Sequence, residues 1–191
     1  MLSYLSLAIS CLLVSNIVLT QFLGICPFLG ISTNRKSALG MGIAVMIVTL
    51  LSSMVTYGLY KLVLLPLDIV YMQTVVNILV IACLVQLLEM VIKKYIPSLY
   101  ESFGVYLPLI TTNCIVLGVC LNVINYDYNF LEMLVYSISI TGGYLLVLVI
   151  FSAIRAQLER VSVPKAFKGV PIALIVAACM AMAFTAFSGI I

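Results

Sequence analysis

The stretch GICPFLG, residues 24–30, places a thiol, a proline and two glycines inside a run of 34 residues without a charged side chain. The stretch NCIVLG, residues 113–118, repeats its C-x-x-L-G skeleton within a second uncharged run, 102–126. Proline costs about 3 kcal/mol in a helix interior, because it removes an amide donor and clashes with the preceding turn. Helix-disturbing residues beside both cysteines therefore predict two broken helices.

The composition places the whole chain in a lipid bilayer. Of its 191 residues 65% are hydrophobic and 8% are charged, and the mean hydropathy is +1.32, whereas roughly a quarter of the residues of soluble domains are charged. Each uncharged run reaches the ~20 residues that span the hydrocarbon layer. We predict an all-α membrane protein, one integral domain over 1–191, with six transmembrane helices in the runs 1–34, 37–60, 69–88, 102–126, 133–154 and 169–191.

The basic residues predict the orientation of these helices. Positively charged residues in short loops are retained on the cytoplasmic side of the membrane. If the six helices alternate in direction, one side receives only Lys61. Both termini are therefore expected outside the cytoplasm, in a multi-pass protein of a prokaryotic cell membrane. The opposite side receives the other eight basic residues: Arg35, Lys36, Lys93, Lys94, Arg155, Arg160, Lys165 and Lys168.

The two cysteine motifs also predict an internal repeat. Three predicted helices separate the first C-x-x-L-G from the second, so the chain passes the two motifs in opposite directions. This is the arrangement of an inverted-topology repeat, in which discontinuous helices line a site near the bilayer midplane. We predict a 3+3 inverted repeat with halves of about 1–97 and 98–191, in which the first helix of each half is broken near its cysteine.

The residue types limit the chemistry. The chain has no histidine, which leaves thiols and carboxylates as candidate ligands. For Cys26 and Cys114, which lie at the breaks, packing and metal ligation remain equally open. A helix beginning at Pro27, or after Asn113, would aim free amides at a thiolate. The remaining cysteines lie in ordinary apolar runs and are expected to pack as small hydrophobic side chains: Cys11, Cys83, Cys120 and Cys179.

Two cysteines cannot complete an iron–sulfur site. A [2Fe-2S] cluster held by cysteine needs four thiolates, so a cluster here would need two from another chain. The basic residues are divided among separate loops, which excludes a clustered nucleic-acid surface. No catalytic residue is predicted. Polar residues at the breaks are candidates for lining an ion path or for satisfying freed backbone groups: Gln21, Thr111, Thr112 and Asn113.

Three strings carry a specific resemblance: QFLGICPFLG at 21–30, LPLITTNCIVLGV at 107–119 and PKAFKGVPIAL at 164–174. They resemble the family of the A subunit of the Rnf complex, an ion-translocating ferredoxin:NAD oxidoreductase. This family is homologous to the E subunit of the sodium-pumping NADH:quinone reductase. The similarity runs essentially end to end.

The resemblance implies a role in electron transfer. The A and E subunits of such complexes are paralogues of inverted topology that share an intramembrane [2Fe-2S] cluster, and their motif cysteines map onto Cys26 and Cys114 here. The implied function is an electron relay in a translocase that couples ferredoxin/NAD electron transfer to movement of Na⁺ or H⁺. The implied partners are the paralogous E subunit, the B, C, D and G subunits, and the lipid bilayer. No flavin or NAD is expected on this chain, and no activity is expected of it alone.

Two other functions fit the pattern. A secondary transporter would also have inverted repeats and discontinuous helices. A structural scaffold would use the breaks only to accommodate a partner helix, with inert cysteines.

Overall fold

The computed structural model describes residues 6, 8–14, 16–31, 35–64, 70–95, 113–158, 164, 167 and 169–186. These residues are helical or lie in short connections, and none of them forms a strand. The structure thus agrees with the predicted all-α class. Seven α-helices are described: α1 Ile17–Thr20, α2 Ile25–Ile31, α3 Arg35–Leu59, α4 Gln73–Tyr95, α5 Cys114–Asn125, α6 Phe130–Leu158 and α7 Val170–Thr185.

Within the part of the chain that the structure describes, two helical spans are long and apolar enough to cross a membrane by themselves. They are Ala38–Leu62, with 25 residues, and Phe130–Leu158, with 29 residues. Shorter apolar helices occupy Gln73–Leu87, Cys114–Asn125 and Val170–Thr185. These helices cover all or most of four of the predicted runs and the second half of the run 102–126. The count of six crossings and the placement of the termini remain predictions.

The first predicted run is not one helix. A π-helical turn, Ser10–Val14, precedes α1, and α1 is followed after a short turn by α2. The break in this run is therefore observed among the described residues. The predicted half-helix start at Pro27 is wrong by two residues, because α2 begins at Ile25. Proline is tolerated in a first helical turn, where the missing N–H would have had no intrahelical partner.

The centre of the molecule is built from α3, α5 and α6. The contact of α6 with α3 is the most extensive, α5 packs on α3, and the π-helical turn 10–14 packs on α6. Helix α4 covers α3 and α5, and α7 packs on α1. The largest fully buried side chains lie in this centre, among them Tyr144, Phe151, Met41 and Ile115.

The outer surface is apolar. Side chains such as Leu79 and Val75 on α4, and Met182 on α7, are more than half exposed. Water does not stabilise such a surface, whereas lipid or a partner subunit does. The surface and the apolar helices together are those of a multi-pass membrane protein.

Candidate metal centre

The turn at the first break contacts the beginning of α5. The backbone N–H of Gly24 donates a hydrogen bond to the Sγ of Cys114, with an N to S distance of 2.9 Å. The two groups are 90 residues apart in the chain. The hydrogen bond joins the turn just before the first C-x-x-L-G motif to the cysteine of the second, which sequence spacing alone did not predict.

The turn between α1 and α2 presents this N–H. Gln21 ends α1 by donating its N–H to the carbonyl of Ile17. Phe22 and Gly24 then adopt left-handed backbone conformations, with φ of 54° and 86°. Glycine takes such a φ at little cost, whereas for a bulky side chain it marks a strained turn. The turn holds the Gly24 amide against Cys114.

Asn113 positions the Cys114 sulfur by capping the helix that begins with this cysteine. The Asn113 side chain accepts a hydrogen bond from the Ile115 N–H at 3.1 Å and so caps α5. Cys114 is the first residue of this 12-residue helix. Its sulfur therefore lies at the N-terminus of α5 and also accepts a hydrogen bond from the Gly24 amide.

The described cysteines differ in environment. Cys26, the second residue of α2, is exposed, and Cys114 is half-buried. Cys11 and Cys120 are buried, which agrees with the packing role predicted for them. Cys83 and Cys179 are exposed on the apolar outer surface. Among the described residues, no three Cys, Asp, Glu or His side chains gather into a metal-sized cluster, so the described part of the chain holds less than a full ligand set.

Two asparagines cap helices in the same way, a similarity that the sequence analysis did not predict. Asn16 begins α1 with φ and ψ of −65° and 112°, and its side chain accepts the Val18 N–H. Asn113 begins α5 with nearly the same angles, −71° and 114°, and accepts from the residue two positions later. The sequence signal is the similarity of SNIVL at 15–19 to TNCIVL at 112–117. The cap positions therefore correspond, although the two cysteines stand at different distances from them.

The predicted polar lining is only partly described. Gln21 is exposed, and Asn113 is buried with its side-chain nitrogen lacking a hydrogen-bond partner among the described residues. Thr111 and Thr112 lie outside the described residues. Sequence reasoning missed Tyr144, a fully buried residue that neighbours Cys114 and whose ring carbon lies 3.5 Å from the position of a Cβ on Gly24. In the sequence, an aromatic residue within an apolar run does not indicate that it will pack beside Cys114.

Arg155 stabilises the helix that carries Cys26. Its Nη1 donates a hydrogen bond of 2.7 Å to the carbonyl oxygen of Leu29, near the end of α2. The last carbonyls of a helix lack intrahelical donors, and a positive charge there is favourable. Arg155 was predicted only as a topology signal, because its partner is 126 residues away in the chain.

We expect Arg155→Gln to loosen α2, because a hydrogen bond from a charged donor contributes about 1.5–3 kcal/mol. Amide hydrogen exchange in α2 should accelerate about tenfold or more, while exchange in α5 stays unchanged. Ser152→Ala, one turn earlier on α6 and also buried, is the matched control. Unchanged exchange in α2 would show that Arg155 does not anchor it.

Fold and surface together define a class: a multi-pass membrane protein whose first apolar run is a discontinuous helix. The family model described as "Rnf-Nqr subunit, membrane protein" matches residues 4–191. The chain belongs to the Rnf-Nqr family, and the resemblance found in its three strings is confirmed.

The chain is similar to curated relatives along nearly its whole length. It is 53% identical over 181 residues to the A subunit of the Na(+)-translocating ferredoxin:NAD(+) oxidoreductase complex of Acetobacterium woodii, covering 95% of this chain and 94% of that protein. It is 49% identical over 191 residues to the A subunit of the ion-translocating oxidoreductase complex of Serratia proteamaculans, covering 100% and 99%. The corresponding subunit of Pseudoalteromonas translucida is 48% identical with the same coverage.

Proposed function

We propose that this protein is a membrane component of a redox-driven ion pump and carries half of an intramembrane [2Fe-2S] site. In this proposal Cys26 and Cys114 are ligands, and the paralogous E subunit supplies two more cysteines. The complex couples electron transfer between ferredoxin and NAD to translocation of Na⁺ or H⁺, with the B, C, D and G subunits as further partners. The named activity of the curated relatives supports this assignment.

The contact between Gly24 and Cys114 is the observation that carries the proposal. The Cys114 sulfur accepts a backbone N–H at the N-terminus of α5, and hydrogen-bond donors of this kind are found around the sulfurs of iron–sulfur clusters. Hydrogen bonds to cluster sulfurs and ligands also adjust the reduction potential. A cysteine that only fills space would need neither the strained turn nor the amide.

The exposure of the site supports a shared cluster. Cys26 is exposed, and Phe22, in the turn before it, is 60% exposed. If this chain provides two thiolates, the other two of the four ligands of a cysteine-bound [2Fe-2S] cluster must come from a partner chain that contacts this exposed surface. When bound, the cluster accepts and releases single electrons. This chain contributes the sulfurs, the amide of Gly24 and the dipole of α5.

The alternative function is a secondary transporter. The broken first helix favours it, because discontinuous helices bind substrates and ions in transporters. The membership of the Rnf-Nqr family favours the redox assignment. A metal measurement separates the two, since a transporter has no need of iron.

The test is the iron content and the electron paramagnetic resonance spectrum of the intact, reduced complex. Cys26→Ser and Cys114→Ser should each remove one [2Fe-2S] signal and about two iron atoms per complex, while the complex still assembles. Cys83→Ser and Cys179→Ser replace exposed cysteines outside the site and should leave the signal intact. Unchanged spectra in both site variants would refute the ligand assignment and favour the transporter.

A further inference from the structure

Two buried hydrogen-bond donors at the Cys114 site have no partner among the described residues. They are the hydroxyl of Tyr144 and the side-chain nitrogen of Asn113. The two side chains are 0% and 3% exposed, so water does not reach them in this chain. Buried polar groups in native proteins are nearly always hydrogen-bonded, and an exception calls for an explanation. We call these two groups the unpaired donors.

Tyr144 reaches the site from α6. The position of a Cβ on Gly24 lies 3.5 Å from the Tyr144 ring carbon Cε2, and the Gly24 N–H donates to the Cys114 sulfur at 2.9 Å. Cε2 is bonded to the ring carbon that carries the hydroxyl, so this edge of the ring faces the turn. Tyr144 is also near enough to Cys114 for the two groups to interact electrostatically. The phenol therefore lies beside the contact between Gly24 and Cys114.

The cap that Asn113 forms fixes which atom of its amide remains unpaired. The Oδ1 atom accepts the Ile115 N–H at 3.1 Å, and an amide nitrogen cannot take this position because it only donates. The nitrogen is therefore the atom without a partner, on the residue directly before Cys114. What the site lacks at this point is an acceptor.

An unpaired polar atom does not mark a site by itself. Within the described part of the chain, the hydroxyl of Ser152 on α6 and the amide nitrogen of Asn77 on α4 also lack partners. A serine hydroxyl in a helix can rotate towards a carbonyl of its own preceding turn. The ring of Tyr144 holds its hydroxyl away from its own backbone, so its partner must come from elsewhere. The unpaired donors differ from the other two groups in lying together beside one sulfur.

The balance of donors and acceptors at this sulfur is uneven. Gly24, Tyr144 and Asn113 bring three donor groups, whereas the Cys114 sulfur is a weak acceptor that already receives the Gly24 amide. A bound [2Fe-2S] cluster brings additional sulfurs, and these accept hydrogen bonds from the surrounding protein. The donors present thus fit a sulfur-rich group that carries negative charge.

We propose that the Tyr144 hydroxyl donates a hydrogen bond to a sulfur of the [2Fe-2S] cluster and raises its reduction potential, an inference that rests on the proposed function. The Asn113 nitrogen is a second donor of the same kind. Reduction adds one negative charge, and a donor beside sulfur stabilises the reduced form more than the oxidised form.

The surroundings of Tyr144 strengthen this effect. The neighbouring side chains Val147 and Leu148 on α6, and Ile115 on α5, are apolar and 0% exposed. A hydrogen bond is electrostatically stronger in such a low-dielectric interior than in water. A neutral phenol supplies this stabilisation without the cost of burying a charged donor in the membrane.

The test is a redox titration of the purified intact complex, followed through the electron paramagnetic resonance signal of the reduced cluster. Tyr144→Phe removes one oxygen and keeps the ring that fills the core. We expect the reduction equilibrium to shift about tenfold towards the oxidised form, which lowers the midpoint potential of a one-electron couple by about 59 mV. The iron content should stay unchanged, because all the cysteines remain.

Tyr136→Phe is the matched control. It removes another buried phenol hydroxyl from α6, about two turns earlier, and that hydroxyl already accepts from Asn122 at 3.1 Å. We expect it to leave the midpoint potential unchanged although it breaks a hydrogen bond. Asn113→Ser keeps a side-chain oxygen for the cap and removes the nitrogen, so it should lower the potential as Tyr144→Phe does.

A second measurement separates this role from a structural one. In a Cys26→Ser complex, which lacks the cluster under the proposed function, the Tyr144 hydroxyl has no acceptor to lose. Adding Tyr144→Phe there should not lower the thermal unfolding midpoint. A clear decrease would show that the hydroxyl stabilises the fold through another partner, which would overturn the proposal.

An unchanged midpoint potential in Tyr144→Phe, or an equal shift in Tyr136→Phe, would also overturn it. If Tyr144→Phe assembles without iron, Asn113→Ser decides, and an unchanged potential in that variant refutes the donor role. Absence of the iron signal from the wild type refutes the proposed function. Its presence, with wild-type potentials in Tyr144→Phe and Asn113→Ser, refutes this inference alone.

Discussion

Gly24→Ala is expected to abolish the proposed metal centre although both cysteines remain. The backbone of Gly24 has a φ of +86°, which costs an L-amino acid roughly 1–2 kcal/mol. The new Cβ would also overlap the Ile115 Cδ1 atom and lie 2.7 Å from Cγ1. Ile115 is fully buried, so it cannot move without repacking, at about 1–3 kcal/mol. The turn would shift and withdraw its N–H from Cys114.

Iron content and thermal stability of the complex measure this effect. We expect a loss of stability of about 2–5 kcal/mol and loss of the cluster signal. Gly58→Ala is the matched control, because a Cβ there has no neighbour within 4 Å. In an Ile115→Ala background the overlap is absent, so Gly24→Ala should cost less stability there than in the wild type, with the backbone strain remaining. A Gly24→Ala complex with full iron and normal stability would contradict this account of the turn.

Gly143→Ala is expected to separate α6 from the π-helical turn 10–14. The new Cβ would lie 2.9 Å from the backbone carbonyl oxygen of Leu12 and 3.1 Å from the side-chain nitrogen of Asn16. A backbone atom has no rotamer with which to move away, so the helices must part. Overpacking of this kind costs about 1–3 kcal/mol, and it would also disturb the residue that caps α1.

The neighbouring Gly142 gives the control for this prediction. A Cβ at Gly142 would meet Leu12 Cδ1 at 3.8 Å, an ordinary contact. Alanine is favoured over glycine inside a helix by about 0.5–1 kcal/mol. Gly142→Ala should therefore leave the thermal unfolding midpoint unchanged or raise it, whereas Gly143→Ala should lower it. Equal unfolding midpoints for the two variants would mean that the close approach of α6 to the turn 10–14 does not depend on a glycine at position 143.

The broken first helix was predictable because its cause is local. Pro27 and the flanking glycines disturb a helix whatever surrounds them. The exact start of α2 was not predictable, since proline is compatible with several positions in a first turn. The second break was predicted from residues that lie mostly outside the described part of the chain, and only the start of α5 at Asn113 is observed.

The sequence identified the cysteines of the candidate site but not the contacts that surround them. Cys26 and Cys114 were identified by motif and by family resemblance, and their ligand role remains a proposal. The amide of Gly24 and the guanidinium of Arg155 received no such role from the sequence. Each donates a hydrogen bond to a partner on another element, and no local pattern encodes which elements become neighbours.

By itself the sequence determined the membrane environment, the helical class, the family and the positions of the two thiols. These follow from composition, from the length of apolar runs and from the local effects of proline and glycine. Only the tertiary structure decided that the turn at Gly24 meets Cys114, and that Tyr144 lies beside the same sulfur. Such contacts depend on helix register, because a rotation of a helix by a fraction of a turn sends the same side chains to lipid instead.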